Sequence, residues 1–269
     1  MSVEAGEFTA MHRGGEGPPL VLLHGFTDTW RCWELVLPAL EAEHEVLAPT
    51  LAGHSGGPAI GEDEDPEEAI VAGVEAAMDA AGFETAAIAG NSLGGWVALK
   101  LAARGRATSV TALAPAGGWA VGDPAFEQTL AYFRTAQMLL EQALPYADEI
   151  VASPEGRARA TEMYVSTADH MSPELIVHQM RGALGCPAVV RLLEHAEANG
   201  WNLEAENVSC PVRLVWGDGD RVLVPPGASV RFREEWLPRA ELVELEGAGH
   251  CPQLDHPLET TQLILDFAR

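Results

Sequence analysis

Positive charge is what this sequence has least of. Its 269 residues hold 16 lysines and arginines against 40 aspartates and glutamates, a formal net charge of −24, and Lys100 is the only lysine. Nucleic acid and anionic lipid are held chiefly by Lys and Arg, so neither is an expected partner. The same field favours solubility and mildly disfavours anionic substrates unless local arginines offset it. No apolar run approaches the roughly 20 residues that a membrane helix needs, so no membrane insertion is expected. The opening MSVEAGEFTAMHRGGEG lacks a basic segment followed by an apolar one, which predicts a cytoplasmic rather than a secreted protein. The four cysteines, Cys32, Cys186, Cys210 and Cys251, form no C-x-x-C pair and no His/Cys cluster at zinc spacing. Four reduced thiols and no metal site are the expectation.

What the chain does have is apolar residues, 47% of the total, with Pro and Gly spread out rather than clustered. A well-packed core follows. Short apolar runs at Pro19–Leu23, His44–Pro49, Ala86–Ala89, Val110–Ala114, Pro211–Trp216 and Glu241–Leu245 read as strands. Helical spacing covers Trp30–Leu40 (stopping near Pro38), Ala69–Ala81 with Pro66 in its first turn and Gly82 at its end, Ser92–Arg104, about 227–237 and about 257–268. This alternation predicts an α/β protein with a mostly parallel sheet and helices on both faces. Residues 117–207 break the rhythm, with helix-like stretches at Phe126–Leu144 and Leu175–Asn199 and no strong strand. The simplest division is a core of residues 1–116 and 208–269 and a helical insertion at 117–207.

G-x-S-x-G, the pattern of a hydrolase nucleophile, occurs twice, at Gly53-His54-Ser55-Gly56-Gly57 and at Gly90-Asn91-Ser92-Leu93-Gly94. With 27 Gly and 9 Ser, a chance match arises in roughly one such chain in ten, so the bare pattern decides little. The chemistry needs the serine on a tight strand-to-helix turn, where the next helix aims its free N–H groups at the developing oxyanion. Ser92 follows an apolar strand and begins a helix, whereas Ser55 runs into GGPAIGEDEDPEE, where Pro58 and the glycines forbid an immediate helix. Ser92 is the expected nucleophile.

Its partners should follow in the order acid, then histidine. Asp218 and Asp220 stand just past the strand Pro211–Trp216, and His250 just past Glu241–Leu245, on the sheet edge where open α/β sheets hold ligands. Asp220 is favoured as the acid, because Asp218 directly after Gly217 suits a side-chain-to-backbone turn bond. His256 before Pro257 suits a helix cap. His12, His44, His170, His178 and His195 have no acid or serine at a telling spacing, and surface or cap positions are expected for them.

With these residues in view, the chain resembles the α/β-hydrolase superfamily over Pro19–Pro115 and Pro211–Arg269. LLHGFTDTW resembles the oxyanion loop, GNSLGG the nucleophile elbow, WGDGDRVLVP the acid loop and GAGHCPQLDHP the histidine loop. The resemblance implies that the backbone N–H groups of Phe26 and Leu93 form the oxyanion hole. It implies that His24 braces that loop, and that the insertion is a cap following the family's sixth strand. APTLAGHSGGP falls where the family usually carries a D-x-P-G-x-G-x-S turn, so Ser55 is assigned to the rim of the site. Family members acting on haloalkanes or epoxides place Asp at the nucleophile position, and dienelactone hydrolases place Cys.

A serine hydrolase is therefore expected, a carboxylesterase for small to medium acyl esters or lactones, with Ser92, Asp220 and His250 as triad and no cofactor. Trp119, Phe126, Phe133, Met138 and Leu139 are candidate pocket residues, and Arg181 a candidate cap arginine. The expected partner is a small ester or related carbonyl compound, and the expected state a monomer or homodimer. The rival readings are a C–C bond hydrolase of diketo acids, a cofactor-free perhydrolase, and a non-catalytic ligand receptor on the same scaffold.

Overall fold

A computed structural model of the protein describes residues 8–268. Its sheet has seven strands: β1 (Met11–Gly14), β2 (Pro19–Leu23), β3 (Glu45–Pro49), β4 (Ala86–Asn91), β5 (Ala107–Leu113), β6 (Val212–Gly217) and β7 (Glu241–Leu245). Their order is β1-β3-β2-β4-β5-β6-β7, with β1 antiparallel to β3 and every other pair parallel. The α-helices are α1 (Leu37–Leu40), α2 (Pro66–Ala81), α3 (Leu93–Ala103), α4 (Pro124–Ala143), α5 (Ala147–Val151), α6 (Pro154–Thr161), α7 (Pro173–Leu184), α8 (Val189–Asn199), α9 (Pro252–Asp255) and α10 (Pro257–Leu265).

Successive side chains of a strand point to opposite faces, and β2 feeds both halves of the core this way. Val21 and Leu23 join the side that packs on α2 and α3, while Leu20 and Leu22 join Cys32, Trp33, Leu40 and Ile264 on the other. Central β4 is buried throughout, with small residues AAIAGN that let its neighbours close in. Helix α2 begins and ends as its sequence dictates. Asp65 accepts a hydrogen bond from the Glu68 N–H, Pro66 takes the first turn, and Gly82 closes the helix at φ 84°.

Several sequence expectations are corrected. Trp30–Leu40 is not one helix but a 3₁₀ turn at Trp30–Trp33 followed by α1, because Pro38 removes an amide donor in mid-segment. The stretch near 227–237 is helical as expected, though not regularly wound: a 3₁₀ turn at Gly227–Ser229 runs through Val230 and Arg231 into a wider-wound segment at Phe232–Trp236. Leu175–Asn199 is two helices, α7 and α8, parted at Gly185-Cys186-Pro187. Strand β1 went unread in a polar MHRG segment with no apolar run; it is recruited by backbone pairing to β3. The helical segment follows the fifth strand described here, one fewer than the family's count.

The segment between β5 and β6 carries helices α4 to α8, and its apolar cluster of Val151, Val165, Leu175, Ile176 and Met180 is continuous with Cys251 and Leu254. Polar contacts tie it to loops at the carboxyl edge of the sheet. Ser55 Oγ donates to the Gly182 carbonyl (2.8 Å), Thr29 Oγ1 lies 2.9 Å from His178 Nε2, and Asp255 Oδ2 accepts from the Ser166 N–H (2.7 Å). The Cys251 N–H donates to the Tyr164 carbonyl (2.8 Å).

Under that edge lie two buried histidines. His24 Nδ1 bonds to the Gly25 carbonyl (2.8 Å) and its Nε2 accepts from the Leu51 N–H (2.8 Å), a pairing only the neutral ring can make. His54 stands edge-on to it, centroids 5.0 Å apart, with Nδ1 bonded to the Ala52 carbonyl (3.1 Å). Burial lowers His54 from 6.5 to about 4, and burial followed by the neighbouring His54 lowers His24 well below its ordinary value.

Two predictions follow from the packing. Gly94 lies where an added Cβ would sit 2.1 Å from the Leu23 carbonyl oxygen and 2.6 Å from that of His24, whereas at Gly73 within α2 the nearest atom is Ala52 Cβ at 3.6 Å. Gly94→Ala should therefore cost more than about 3 kcal/mol in urea unfolding, while Gly73→Ala should gain about 0.5–1 kcal/mol. Equal effects would show the close approach at Gly94 to be unimportant. The second prediction concerns pH. A histidine with a lowered folded-state pKa stabilises fully above its unfolded value and loses that stability as pH falls toward the folded value. For His54 the window is 6.5 down to about 4, worth about 2–3 kcal/mol between pH 7 and pH 4.5. Unfolding free energies at those two pH values should differ less in His54→Asn than in the wild type by that amount. An unchanged pH slope would refute this account of His54.

Candidate active site

The site is built where α3 leaves β4. Ser92 joins them at φ 54°, ψ −117°, a left-handed conformation that a non-glycine residue adopts at a cost of about 1–3 kcal/mol. The surroundings hold it there. The Ser92 N–H donates to the Leu113 carbonyl (2.9 Å), and the Ser92 carbonyl accepts from the N–H groups of Trp96 and Ala116 (3.1 Å each). Neighbouring backbones close in through glycines: a Cβ on Gly90 would lie 2.2 Å from the Gly94 carbonyl oxygen, and one on Gly25 3.3 Å from Ser92 Cβ. The turn sets the buried serine at the sheet edge, where it borders a cavity, and the first N–H groups of α3, that of Leu93 included, lack intrahelical partners.

On the acid loop past β6, Asp220 is buried. Its Oδ1 accepts from the N–H groups of Val222 and Leu223, both at 2.8 Å, and its Oδ2 lies 2.8 Å from His250 Nδ1. A carboxylate filled with donors in this way orients the ring so that Nδ1 donates and Nε2 keeps its lone pair. His250 sits on the loop after β7, itself held by Asp255, whose Oδ2 accepts from the Gly249 N–H (2.8 Å). Ser92 and His250 line one cavity of about 840 Å³. Asp218 does not make the local turn bond expected of it; its Oδ1 instead accepts from the Gly247 N–H on the loop after β7 (2.7 Å).

Asn91 links these pieces and escaped the sequence reading. Its amide nitrogen donates to the carbonyls of Leu113 (3.1 Å) and His250 (2.9 Å). Its oxygen accepts from Cys251 Sγ (3.2 Å) and Gln253 Nε2 (3.1 Å). One buried amide thus ties β4, β5 and the histidine loop. The available signal was a lone polar side chain closing an apolar strand. Asp28, Gln179, Tyr132 and Tyr164 also line the large cavity and were not foreseen.

Ser92 borders a second, narrower cavity of about 70 Å³, lined by Phe26, Leu93, Trp119, Phe126 and Phe133 among others. The expected pocket residues Trp119, Phe126 and Phe133 are therefore at the site. Leu139 reaches only the exposed part of the large cavity, and Met138, 60% exposed, borders neither, because it lies on the outer face of α4. Arg181 on α7 lines neither cavity; the arginine that does is Arg159 on α6. His256 makes no side-chain cap to α10, contrary to expectation. His44 and His178 are buried rather than superficial, His44 bonded to the Pro18 carbonyl (3.1 Å). All four cysteines are free thiols. Burial raises Cys251 well above its ordinary value, and Asp28 adds to this, so the thiol beside His250 stays protonated.

Comparison with known proteins agrees with this architecture. Epoxide hydrolase EphH of Mycobacterium tuberculosis is 36% identical over 194 residues, 72% of this chain and 91% of its own length. A pimeloyl-[acyl-carrier protein] methyl ester esterase of Aromatoleum aromaticum is 30% identical over 268 residues, 94% of this chain and 98% of its own. The enol-lactonase from Burkholderia xenovorans LB400 superposes with a TM-score of 0.72 at 21% identity, covering 96% of this chain and 95% of that one. The profile of the alpha/beta hydrolase family matches residues 20–263. With its seven-stranded sheet, its strained strand-to-helix turn and these relatives, the chain belongs to the alpha/beta hydrolase family.

Proposed function

We propose that the protein is a serine carboxylesterase in which Ser92, His250 and Asp220 act as a triad on small to medium acyl esters or lactones. The observation that carries this reading is the 2.8 Å pairing of His250 with a buried, backbone-anchored Asp220 in the cavity that Ser92 also lines. His250 takes the Ser92 proton as Oγ attacks the carbonyl carbon, and Asp220 stabilises the imidazolium. The N–H groups of Phe26 and Leu93 receive the oxyanion. His250 then passes the proton to the departing alcohol. A water deprotonated by the same ring hydrolyses the acyl-enzyme, releasing the acid and restoring Ser92. The segment 117–207 serves as the lid over this chemistry.

The relatives include enzymes named for epoxide and for ester hydrolysis, and the identity of the nucleophile separates the two. A carboxylate opening an epoxide leaves an ester that water can cleave. A serine doing the same would leave an ether with no carbonyl to attack, and the enzyme would be spent after one turnover. Ser92 therefore supports a carbonyl substrate. The C–C hydrolase reading, held by a relative named 2-hydroxymuconate semialdehyde hydrolase at 24% identity, calls for an anion-binding residue deep in the insertion. Arg181 does not line the cavity, and Arg159 is solvent-exposed, which favours the ester reading.

The test is a panel of p-nitrophenyl esters from acetyl to long acyl chains, run beside styrene oxide. Ser92→Ala should lower kcat/KM by at least about 10³-fold, and Asp220→Asn by a comparable factor. Ser55→Ala should keep most of the activity. Ester turnover that survives in Ser92→Ala, or epoxide turnover exceeding ester turnover, would overturn the assignment.

A further inference from the structure

The two cavities that meet at Ser92 differ in size and in lining. The small one is lined mainly by apolar groups, among them Phe26, Trp119, Phe126 and Trp201, with Glu67 and His195 also on its wall, and His250 does not border it. The large one is bordered by His250, Tyr132, Tyr164, Gln179 and Asp28. The serine-esterase reading, on which this inference rests, gives that difference a meaning. The histidine must hand its proton to the departing oxygen, so the leaving group lies in the cavity His250 lines. The acyl part then falls to the small, aromatic cavity.

The charged side chains of the leaving-group cavity are Asp28, Glu149, Arg159 and Glu162. The last three are exposed to solvent, where water and salt screen them. Asp28 is different. It lies three residues after Gly25 on the loop that packs against Ser92, and it is half-buried. Its Oδ1 accepts from the Thr29 N–H (2.7 Å) and its Oδ2 from Gln179 Nε2 (2.8 Å), which in turn lies 3.4 Å by its oxygen from the Tyr164 hydroxyl. Both donors are neutral amides, so the carboxylate charge is oriented without being cancelled. Its field reaches across the site: after burial, Asp28 is the next cause that raises both Tyr164 and Cys251. Burial lifts Asp28 itself to about 6, which leaves it ionised at pH 8.

We propose that Asp28 is a specificity-determining residue, whose carboxylate makes the leaving-group side of the site accept neutral and cationic alcohols and reject anionic ones. A second carboxylate entering this cavity meets a like charge in a poorly screened space, with only Arg159 at the surface to offset it. A cation meets the opposite charge and the aromatic rings of Tyr132, Phe133 and Tyr164. The substrate class is thus an ester with an apolar acyl group and an uncharged or ammonium-bearing alcohol.

The experiment uses three butanoate esters of straight six-carbon alcohols ending in methyl, trimethylammonium or carboxylate, far enough from the ester to match intrinsic reactivity. Butanoate release is measured at pH 8 for the wild type, Asp28→Asn, Asp28→Glu and Ser92→Ala. Turnover of the methyl-ended ester that is lost in Ser92→Ala verifies the underlying esterase reading separately; no turnover of any ester overturns both readings. With turnover in place, kcat/KM for the methyl- and ammonium-ended esters should exceed that for the carboxylate-ended ester by at least tenfold, chiefly through KM. Asp28→Asn should shrink the ratio to within about threefold, and Asp28→Glu, which keeps the charge, should retain it. An equal ratio in wild type and Asp28→Asn, or no discrimination in the wild type, overturns the proposal. Should Asp28→Asn fail to fold, inhibition of the wild type by the free alcohols decides: a carboxylate-ended alcohol that inhibits as well as the ammonium-ended one overturns it.

Discussion

The left-handed turn at Ser92 is the constraint to which the rest of the molecule answers. A serine at φ 54° is unstable alone, so its environment must over-determine it. Hydrogen bonds to Leu113, Trp96 and Ala116 fix both its peptide groups, and Gly90 and Gly94 let the adjoining backbones approach more closely than any side chain permits. The small residues of β4 follow from the same demand, because a bulky strand there would push β2 and β5 away from the turn. The order of the sheet then sets β6 beside β5 and β7 beside β6, all parallel, so that their loops end on the same edge.

Positioning Asp220 and His250 is a separate problem, solved with buried polar groups that are mostly paired. Asp220 uses one oxygen for its own loop and the other for His250, so the ring inherits the precision of the backbone. Asn91 and Asp255 hold the histidine loop from below and from the side. A buried amide that loses its partners costs about 1–3 kcal/mol per group, so such a network has a single good arrangement. The insertion enters this network through Ser166, Tyr164 and Gln179, which couples its placement to the loops that carry Asp28, Cys251 and Asp255.

How much of this was legible in the sequence varied with the range of the interaction. The turn at Ser92 was readable because a strand, a glycine-flanked serine and a helix are local and contiguous. Pro66 and Gly82 announced α2 for the same reason. The Trp30–Leu40 segment misled because its apolar spacing reflects burial of Cys32, Trp33 and Leu40 against the sheet rather than a continuous helix. Strand β1 carried no signal of its own, since pairing with β3 lends it its structure. Ser55 looked like a second nucleophile, and its hydroxyl turns out to hold the insertion at Gly182, a contact spanning residues far apart in the chain.

The sequence by itself determined the family and the alternation of strands and helices, because each rests on short-range patterns of size, polarity and backbone freedom. Tertiary structure alone decided which polar groups meet: Asn91 with His250, Asp28 with Gln179, His178 with Thr29. It also decided that Phe133 rather than Met138 faces the site. The reason is physical. A hydrogen bond or a cavity wall is made by groups brought together only when the sheet and the insertion close on one another, and no local propensity encodes that distance.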